Sequence, residues 1–172
     1  MNRTVMQEKT DTAKLDAANN VKQYVTFVIA NEIYGVPILK VQEIIGMTDI
    51  VHVPNSPEFM KGVINLRGSV VPVIDMRKRF SLEEREYDMF TVIIIVEMKN
   101  MPVGMIVDTV SDVVSIADSE IQDTPNVTSK ISSDFIEGIG QVNERLVIIL
   151  NIDNILSADE IEKMEREENE TA

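Results

Sequence analysis

Residues 59–75, FMKGVINLRGSVVPVID, decide the fold, because the chain repeats them as residues 135–151, FIEGIGQVNERLVIILN. The two stretches align at a shift of 76 positions, with Phe59 over Phe135 and Gly62 over Gly138. Upstream of each, residues 25–45 return as residues 94–114 at a shift of 69. Two blocks that recur in one order indicate a duplicated unit of roughly 60 to 70 residues. Since two units are too few for a solenoid, we predict two similar modules packed side by side.

Short apolar runs in each copy, separated by Gly, Pro and Asn, predict β-hairpins. In the first copy, residues 61–66 and 70–74 flank a turn in which Gly68 supplies a positive φ. Gly62 is assigned to a structural turn as well. Pro72 lies inside the return strand, and because proline has no N–H to donate, we predict an edge or a bulge there.

The fold class is therefore predicted to be mainly β, with short strands that close into small barrels and so avoid exposed edges. We expect a disordered tail over residues 1–20, one subdomain over residues 21–89 and a second over residues 90–156, and the sequence leaves open whether strands are exchanged between the two. The second copy carries seven extra residues after Pro125 and Asn126. Ser157 and Glu160 form a capping box that predicts an acidic C-terminal helix over residues 157–172, fraying from Arg166.

The composition argues against several functions. Sixteen Lys and Arg against 29 Asp and Glu give a net charge of −13, which disfavours nucleic-acid binding. The basic cluster at residues 77–79 precedes an acidic run and is predicted to be a solvated face. The absence of Cys excludes disulfides and thiolate catalysis. The polar N-terminal segment contains neither a signal peptide nor an anchor, so a soluble, cytoplasmic protein without membrane insertion is expected.

Few residues suggest catalysis. His52 is the only histidine, and it lies in a short strand without a nucleophile beside it. The chain has no phosphate-binding loop and no calcium loop. We therefore predict a protein that is not an enzyme and holds no metal or cofactor, and a hydrolase remains the least favoured alternative.

A binding module is the favoured reading. Val41, Ile44, Val110 and Val113 occupy equivalent places in the two copies. If the copies pack about a pseudo-twofold axis, these side chains either line an apolar groove for a partner helix or belong to the core. The sequence leaves both alternatives open.

Three longer runs indicate a family: VPNSPEFMKGVINLRGSVVPVIDMRKRF at 53–80, YGVPILKVQEI at 34–44 and VGMIVDTVSDVVSI at 103–116. Over about residues 22–157 the chain closely resembles the CheW family of bacterial chemotaxis coupling proteins. The resemblance implies two five-stranded SH3-like barrels. It also implies an adaptor that joins the cytoplasmic tips of methyl-accepting chemoreceptors to the regulatory domain of the histidine kinase CheA. A regulatory module of a CheA- or CheV-type protein is the alternative, and the stand-alone coupler matches better because the chain shows no ATPase or receiver domain.

The same resemblance implies that the protein is a monomer when isolated and assembles in arrays at the inner face of the membrane. It places kinase docking on the first barrel and array extension on the second. Arg67 is the more pointed candidate, because the second copy has Asn143 there, whereas the acidity of Glu43 is matched by Asp112. The receptor-contacting positions that it implies are Val41, Glu43, Arg67, Val92, Val110 and Val113.

Overall fold

The computed structural model describes residues 20–123 and 132–171, and the side chains as far as residue 164. The extra residues after Pro125 lie outside this part. The described chain forms eleven strands, which confirms the mainly β class. The strands are β1 (Val21–Ile29), β2 (Glu32–Pro37), β3 (Val41–Gly46), β4 (Met60–Leu66), β5 (Ser69–Asp75), β6 (Val92–Met98), β7 (Met101–Val107), β8 (Thr109–Ala117), β9 (Ile121–Gln122), β10 (Ile136–Val142) and β11 (Arg145–Leu150).

The strands form two sheets with the same order. The five-stranded sheet runs β3-β6-β7-β5-β4, and the six-stranded sheet runs β8-β1-β2-β11-β10-β9. The shifts found in the sequence place β3 on β8, β6 on β1, β7 on β2, β5 on β11 and β4 on β10. Each sheet contains one parallel pair, β5 with β7 or β11 with β2, at equivalent places. The sixth strand is the two-residue β9.

Each sheet contains one hairpin that comes from the other half of the sequence. The β1–β2 hairpin lies between β8 and β11 in the six-stranded sheet, and the β6–β7 hairpin lies between β3 and β5 in the five-stranded sheet. The division between the sheets therefore does not follow the expected subdomain boundary at residues 89 and 90. The chain crosses between the sheets twice, after β2 and after β7.

The repeated glycines do not lie in turns, which corrects the assignment of Gly62. Gly62 lies inside β4, next to a break in register between Met60 and Gly62, and Gly138 lies at the matching break in β10. A Cβ on Gly62 would lie 2.2 Å from the carbonyl oxygen of Val51, and its φ is +153°. Glycine is needed here because another backbone passes directly over the strand.

Pro72 is not at a sheet edge or at a bulge, contrary to expectation, because β5 lies between β4 and β7. It is tolerated for a different reason. Leu66 and Ser69 close the two-residue turn, and antiparallel pairs alternate between bonded and non-bonded from there. Val63 and Pro72 are therefore a pair that exchanges no backbone hydrogen bonds between β4 and β5. On the other side, the pairing of β5 with β7 begins only at Val73. No ladder bond is lost.

The largest core lies between the sheets rather than inside either of them. It takes buried side chains from both, including Phe27 and Tyr34 of the six-stranded sheet and Ile94 and Met105 of the five-stranded sheet. Each sheet has a smaller core of its own on its opposite face. The contact between the sheets is therefore a folded interior, and only its margins are available to a partner.

Two helices close this core. Helix α1 (Met76–Arg79) follows β5, and the Asp75 carboxylate accepts hydrogen bonds from the backbone of Arg77 and Lys78 at its start. Helix α2 (Ala158–Thr171) begins at the predicted capping box, in which Ser157 N donates to Glu160 and Glu160 N donates to Ser157 Oγ. The helix continues through Arg166 to Thr171, beyond the point where fraying was expected.

Candidate functional site

The apolar residues implied by the family resemblance lie along the margin of the inter-sheet core. Val41 of β3 and Val92 of β6 are half-buried against that core from the five-stranded sheet. Val110 of β8 is half-buried against it from the six-stranded sheet. Strands β3 and β8 are equivalent edge strands of the two sheets. The repeat therefore places matching valines on matching edges.

Ile44 and Val113 are exposed on the same faces. Ile44 pairs with Ile94, and Val113 pairs with Val25, and both partners belong to the inter-sheet core. Directly opposed residues on neighbouring strands point to the same face of a sheet. Each of the two interpretations, core or groove, therefore holds for part of these residues. Val41 and Val110 contribute to the core, and Ile44 and Val113 extend from it into solvent. We call the margin formed by Val41, Ile44, Val92, Val110 and Val113 the apolar margin.

Glu43 and Arg67 form an ion pair that faces away from the apolar margin. Glu43 pairs with Ile95, which belongs to the separate core of the five-stranded sheet. Arg67, in the β4–β5 turn with a φ of 52°, donates from Nη1 and Nη2 to the two carboxylate oxygens of Glu43, at 3.1 and 2.5 Å. The hydrogen bond to Arg67 holds the pKa of Glu43 below its usual value. The pair joins β3 to the turn across the open side of the sheet.

The six-stranded sheet has no such pair at the equivalent place. Asp112 stands where Glu43 does, but Asn143 replaces Arg67 and makes no ion pair there. A cavity of about 360 Å³ opens instead, and Arg145 lies on its rim. Its other lining residues are Thr26, Ile33, Ser111, Asp112, Val114, Val142, Asn143 and Val147. The two halves thus differ at this open side, as the exchange of Arg67 for Asn143 suggested.

One partly buried carboxylate links the two sheets. Asp108 lies between β7 and β8, and its Oδ2 accepts hydrogen bonds from the backbone N–H of Ala30, at 2.9 Å, and from Arg77 Nη2, at 2.6 Å. Arg77 Nε donates to the other oxygen at 2.9 Å. Burial raises the pKa of Asp108, but the donors from Arg77 and Ala30 outweigh it and hold the pKa below its usual value. We call this group the Asp108 clasp.

The opposite end of the inter-sheet contact has a related clasp. Here the acid follows the strand equivalent to β5, and the base precedes the strand equivalent to β8. Asp153, after β11, accepts a hydrogen bond from the backbone N–H of Lys99 at 2.9 Å. The Lys40 ammonium, between β2 and β3, lies 3.5 Å from the same carboxylate. The shifts place Lys99 on Ala30 and Asp153 on Arg77. This Asp153 clasp therefore occupies the pseudo-twofold equivalent of the Asp108 clasp.

The basic cluster at residues 77–79 was predicted to be a solvated face, and this is wrong for two of its members. Arg77 lies in the Asp108 clasp. The guanidinium of Arg79 lies over the rings of Phe59 and Phe135, 4.5 and 4.8 Å from their centroids, and donates to the carbonyl oxygen of Ile155. The repeated phenylalanines thus hold one arginine between them, in a cation–π arrangement that sequence patterns did not reveal.

Other candidates have no organised surroundings. His52 is exposed. Within residues 20–123 and 132–171, no group of three or more His, Asp or Glu side chains is arranged to hold a metal ion. None of the helices in this part of the chain is long and apolar enough to cross a bilayer.

Comparison with known proteins gives consistent matches. The CheW-like domain profile matches residues 23–160. The chemotaxis protein CheW of Klebsiella aerogenes is 38% identical over 149 residues, which cover 87% of this chain and 90% of that protein. The chemotaxis protein CheV3 of Helicobacter pylori is 27% identical over 127 residues, covering 72% of this chain and 41% of that protein.

A solved structure has the same architecture. The scaffolding protein TtCheW of Thermoanaerobacter tengcongensis superposes with a TM-score of 0.76 and is 37% identical, covering 81% of this chain and 94% of that one. The sequence resemblance, the profile over most of the chain and the shared arrangement of two sheets agree. This chain belongs to the CheW-like domain family and is a scaffolding protein of bacterial chemotaxis.

Proposed function

We propose that the protein is a non-catalytic adaptor that couples chemoreceptors to the histidine kinase CheA. The observation that carries the proposal is the apolar margin, where half-buried Val41 and Val110 continue into exposed Ile44 and Val113. An apolar strip along the edges of two sheets suits the apolar face of a partner helix. The receptor tip is the proposed occupant. The kinase regulatory domain is proposed to dock on the five-stranded sheet, the counterpart of the first barrel.

Such an adaptor acts through differential binding. It stabilises one arrangement of receptor and kinase over another, and it changes kinase activity only as far as its affinities for the two arrangements differ. No covalent step is required. The proposed location is the cytoplasm, with recruitment of the isolated monomer into receptor arrays at the inner face of the membrane.

Binding measurements with separate partners test this proposal. Receptor cytoplasmic fragments and the CheA regulatory domain are each titrated into the purified protein by calorimetry, and both are expected to bind. Val113→Met should leave the fold intact and weaken receptor binding and kinase activation. The family resemblance implies the same result for Arg67→His. Because Arg67 lies on the face opposite the apolar margin, a loss there would show that the receptor contact continues around the edge strand β3. Val51→Met is a matched control, because Val51 is similarly exposed and lies outside the apolar margin. Wild-type affinity in both variants would refute the site assignment.

A regulatory module of a CheA- or CheV-type protein is the second candidate, supported by the similarity to CheV3. A reconstituted mixture of receptor fragment, kinase and this chain separates the two. A stand-alone coupler restores receptor control of the kinase when added as this chain alone. A module that works only within a longer protein binds a partner without restoring that control.

A further inference from the structure

Two large apolar side chains are displayed on the connection between α1 and β6. Met89 is 87% exposed and Phe90 is 61% exposed, whereas the next residue, Thr91, is buried. Met and aromatic side chains are enriched at protein interfaces. Two such side chains next to each other expose apolar surface to water, and a partner that covers them would bury this surface. The turn that carries them, residues 88–91, is called the Asp88 turn below.

The Asp88 turn is held by hydrogen bonds at both ends. Phe90 N donates to Asp88 Oδ1 at 2.8 Å, and Asp88 N donates to Thr91 Oγ1 at 2.9 Å. Thr91 N donates to the carbonyl oxygen of Asp88 at 3.2 Å. Met89 and Phe90 are therefore presented by a fixed backbone, so that little chain entropy remains to be lost when a partner covers them.

The turn lies at one end of the apolar margin. Val92, the first residue of β6, follows Thr91 directly and belongs to the apolar margin. On the other side, Arg85 pairs with Asp88 and also lies 3.6 Å from Asp108, two residues before Val110. The Asp88 turn is thus tied to the beginnings of both β6 and β8.

The surrounding charges indicate what kind of segment would cover this end. Glu84 is paired with Lys78, and Asp88 is paired with Arg85. Glu83 and Glu86 take part in no ion pair among the described residues. These two residues precede Phe90 by seven and four positions, so a helix that covers Phe90 meets an acidic stretch of the chain. Lys or Arg at that point of the partner is complementary.

We infer that Met89 and Phe90 extend the apolar margin and contact the same receptor helix, whose apolar stripe ends in a basic residue facing Glu83 and Glu86. This inference rests on the proposed receptor-binding function and adds a specificity-determining contact to it. Interfaces concentrate their binding energy in a few apolar anchors, so removal of both side chains should weaken receptor binding about tenfold or more.

The test compares Met89→Ser/Phe90→Ser with Leu146→Ser. Leu146 is 64% exposed and lies at the far hairpin of the six-stranded sheet, so it controls for the loss of exposed apolar surface. The dissociation constant for a receptor cytoplasmic fragment is measured by calorimetry for each. The double variant should bind about tenfold more weakly, while the control changes less than about twofold. Both should bind the CheA regulatory domain as the wild type does.

Glu83→Gln/Glu86→Gln provides a second arm, in which the salt dependence of receptor binding should decrease because two interfacial charges are lost. If the wild type binds the fragment and Met89→Ser/Phe90→Ser binds equally well, the inference is overturned and the proposed function stands. A selective loss of kinase-domain binding also overturns it. If the wild type binds no receptor fragment, the proposed function itself fails, and the inference fails with it.

Discussion

At the two ends of the inter-sheet contact, equivalent backbone N–H groups donate to carboxylates, and the ion pairs of these carboxylates differ in burial. In the Asp108 clasp, the acid and its arginine have side chains only 12% and 15% exposed, and the contact is bidentate. In the Asp153 clasp, acid and lysine are 46% and 37% exposed and lie 3.5 Å apart. Both acids accept from an equivalent hairpin turn. Each turn thus binds a carboxylate, which comes from a different neighbouring segment at the two ends.

This difference has an energetic consequence, because burial decides the value of an ion pair. Exposed pairs contribute about 0 to 1 kcal/mol, whereas removal of one partner of a buried pair costs about 3 to 5 kcal/mol. We therefore expect the end of the contact at Asp108 to be rigid and the end at Asp153 to open more readily. The predictions below test this asymmetry, from the largest effect to the smallest.

The largest effect is expected from Asp108→Ala, which leaves the partly buried guanidinium of Arg77 without its carboxylate partner and the N–H of Ala30 without its acceptor. The free energy of unfolding should fall by about 3 kcal/mol. Asp153→Ala is the matched variant and should cost about 1 kcal/mol or less. Urea denaturation measures both. Equal losses would show that the two ends are equivalent after all.

A change of pH should remove part of the same stabilisation. The folded-state pKa of Asp108 lies below the unfolded value of about 3.9. Its contribution is thus fully present at neutral pH and is lost as the pH falls from about 4 through the lower folded-state pKa. The difference in unfolding free energy between wild type and Asp108→Asn should shrink below about pH 4. A difference that stays constant between pH 6 and pH 2.5 would contradict this prediction.

Lys40→Met should have a smaller effect, within about 0.5 kcal/mol, because Asp153 keeps its hydrogen bond from the N–H of Lys99. Thermal unfolding at low and high salt is the measurement. The small difference in stability between the wild type and Lys40→Met should disappear in 1 M NaCl, where exposed charges are screened. A loss above 2 kcal/mol would mean that the ammonium is far more important than its exposure indicates.

The smallest effects concern the open sides of the two sheets. Arg67→Asn should destabilise the chain only slightly, since the pair with Glu43 is exposed. Asn143→Arg should stabilise it by a similar or smaller amount, provided that the new guanidinium reaches Asp112. Combination with Asp112→Asn is the control and should abolish the gain. A gain that persists in the double variant would locate the effect elsewhere.

Much of the architecture could be predicted from the sequence because it rests on local signals and on the repeat. The hairpins, the capping box at Ser157 and the mainly β class follow from turn residues and apolar periodicity. The exchange of hairpins could not be predicted, because it depends on which strand edges meet after the chain has collapsed. Gly62 was placed in a turn for a related reason, since the approach of Val51 is a contact between distant segments.

The candidate site shows the same division. Equivalent positions in the two copies identified Val41, Ile44, Val110 and Val113, but only the structure separates the two that are half-buried from the two that are exposed. Asp108 was missed because its counterpart in the first copy is Leu39, so the repeat gave no signal. Met89 and Phe90 were missed because their connection read as a polar linker.

The exchanged hairpins also constrain how the protein is made. Strands β1 and β2 leave the ribosome early, yet their partners β8 and β11 are among the later strands to be synthesised. At 5 to 20 residues per second, the first hairpin waits roughly 5 to 20 s for β11. During that time its apolar face has no native sheet to join. Expression yield should therefore depend on how the nascent first hairpin is protected, and synthesis as two separate halves divided near residue 90 should give no folded product until both chains are present together.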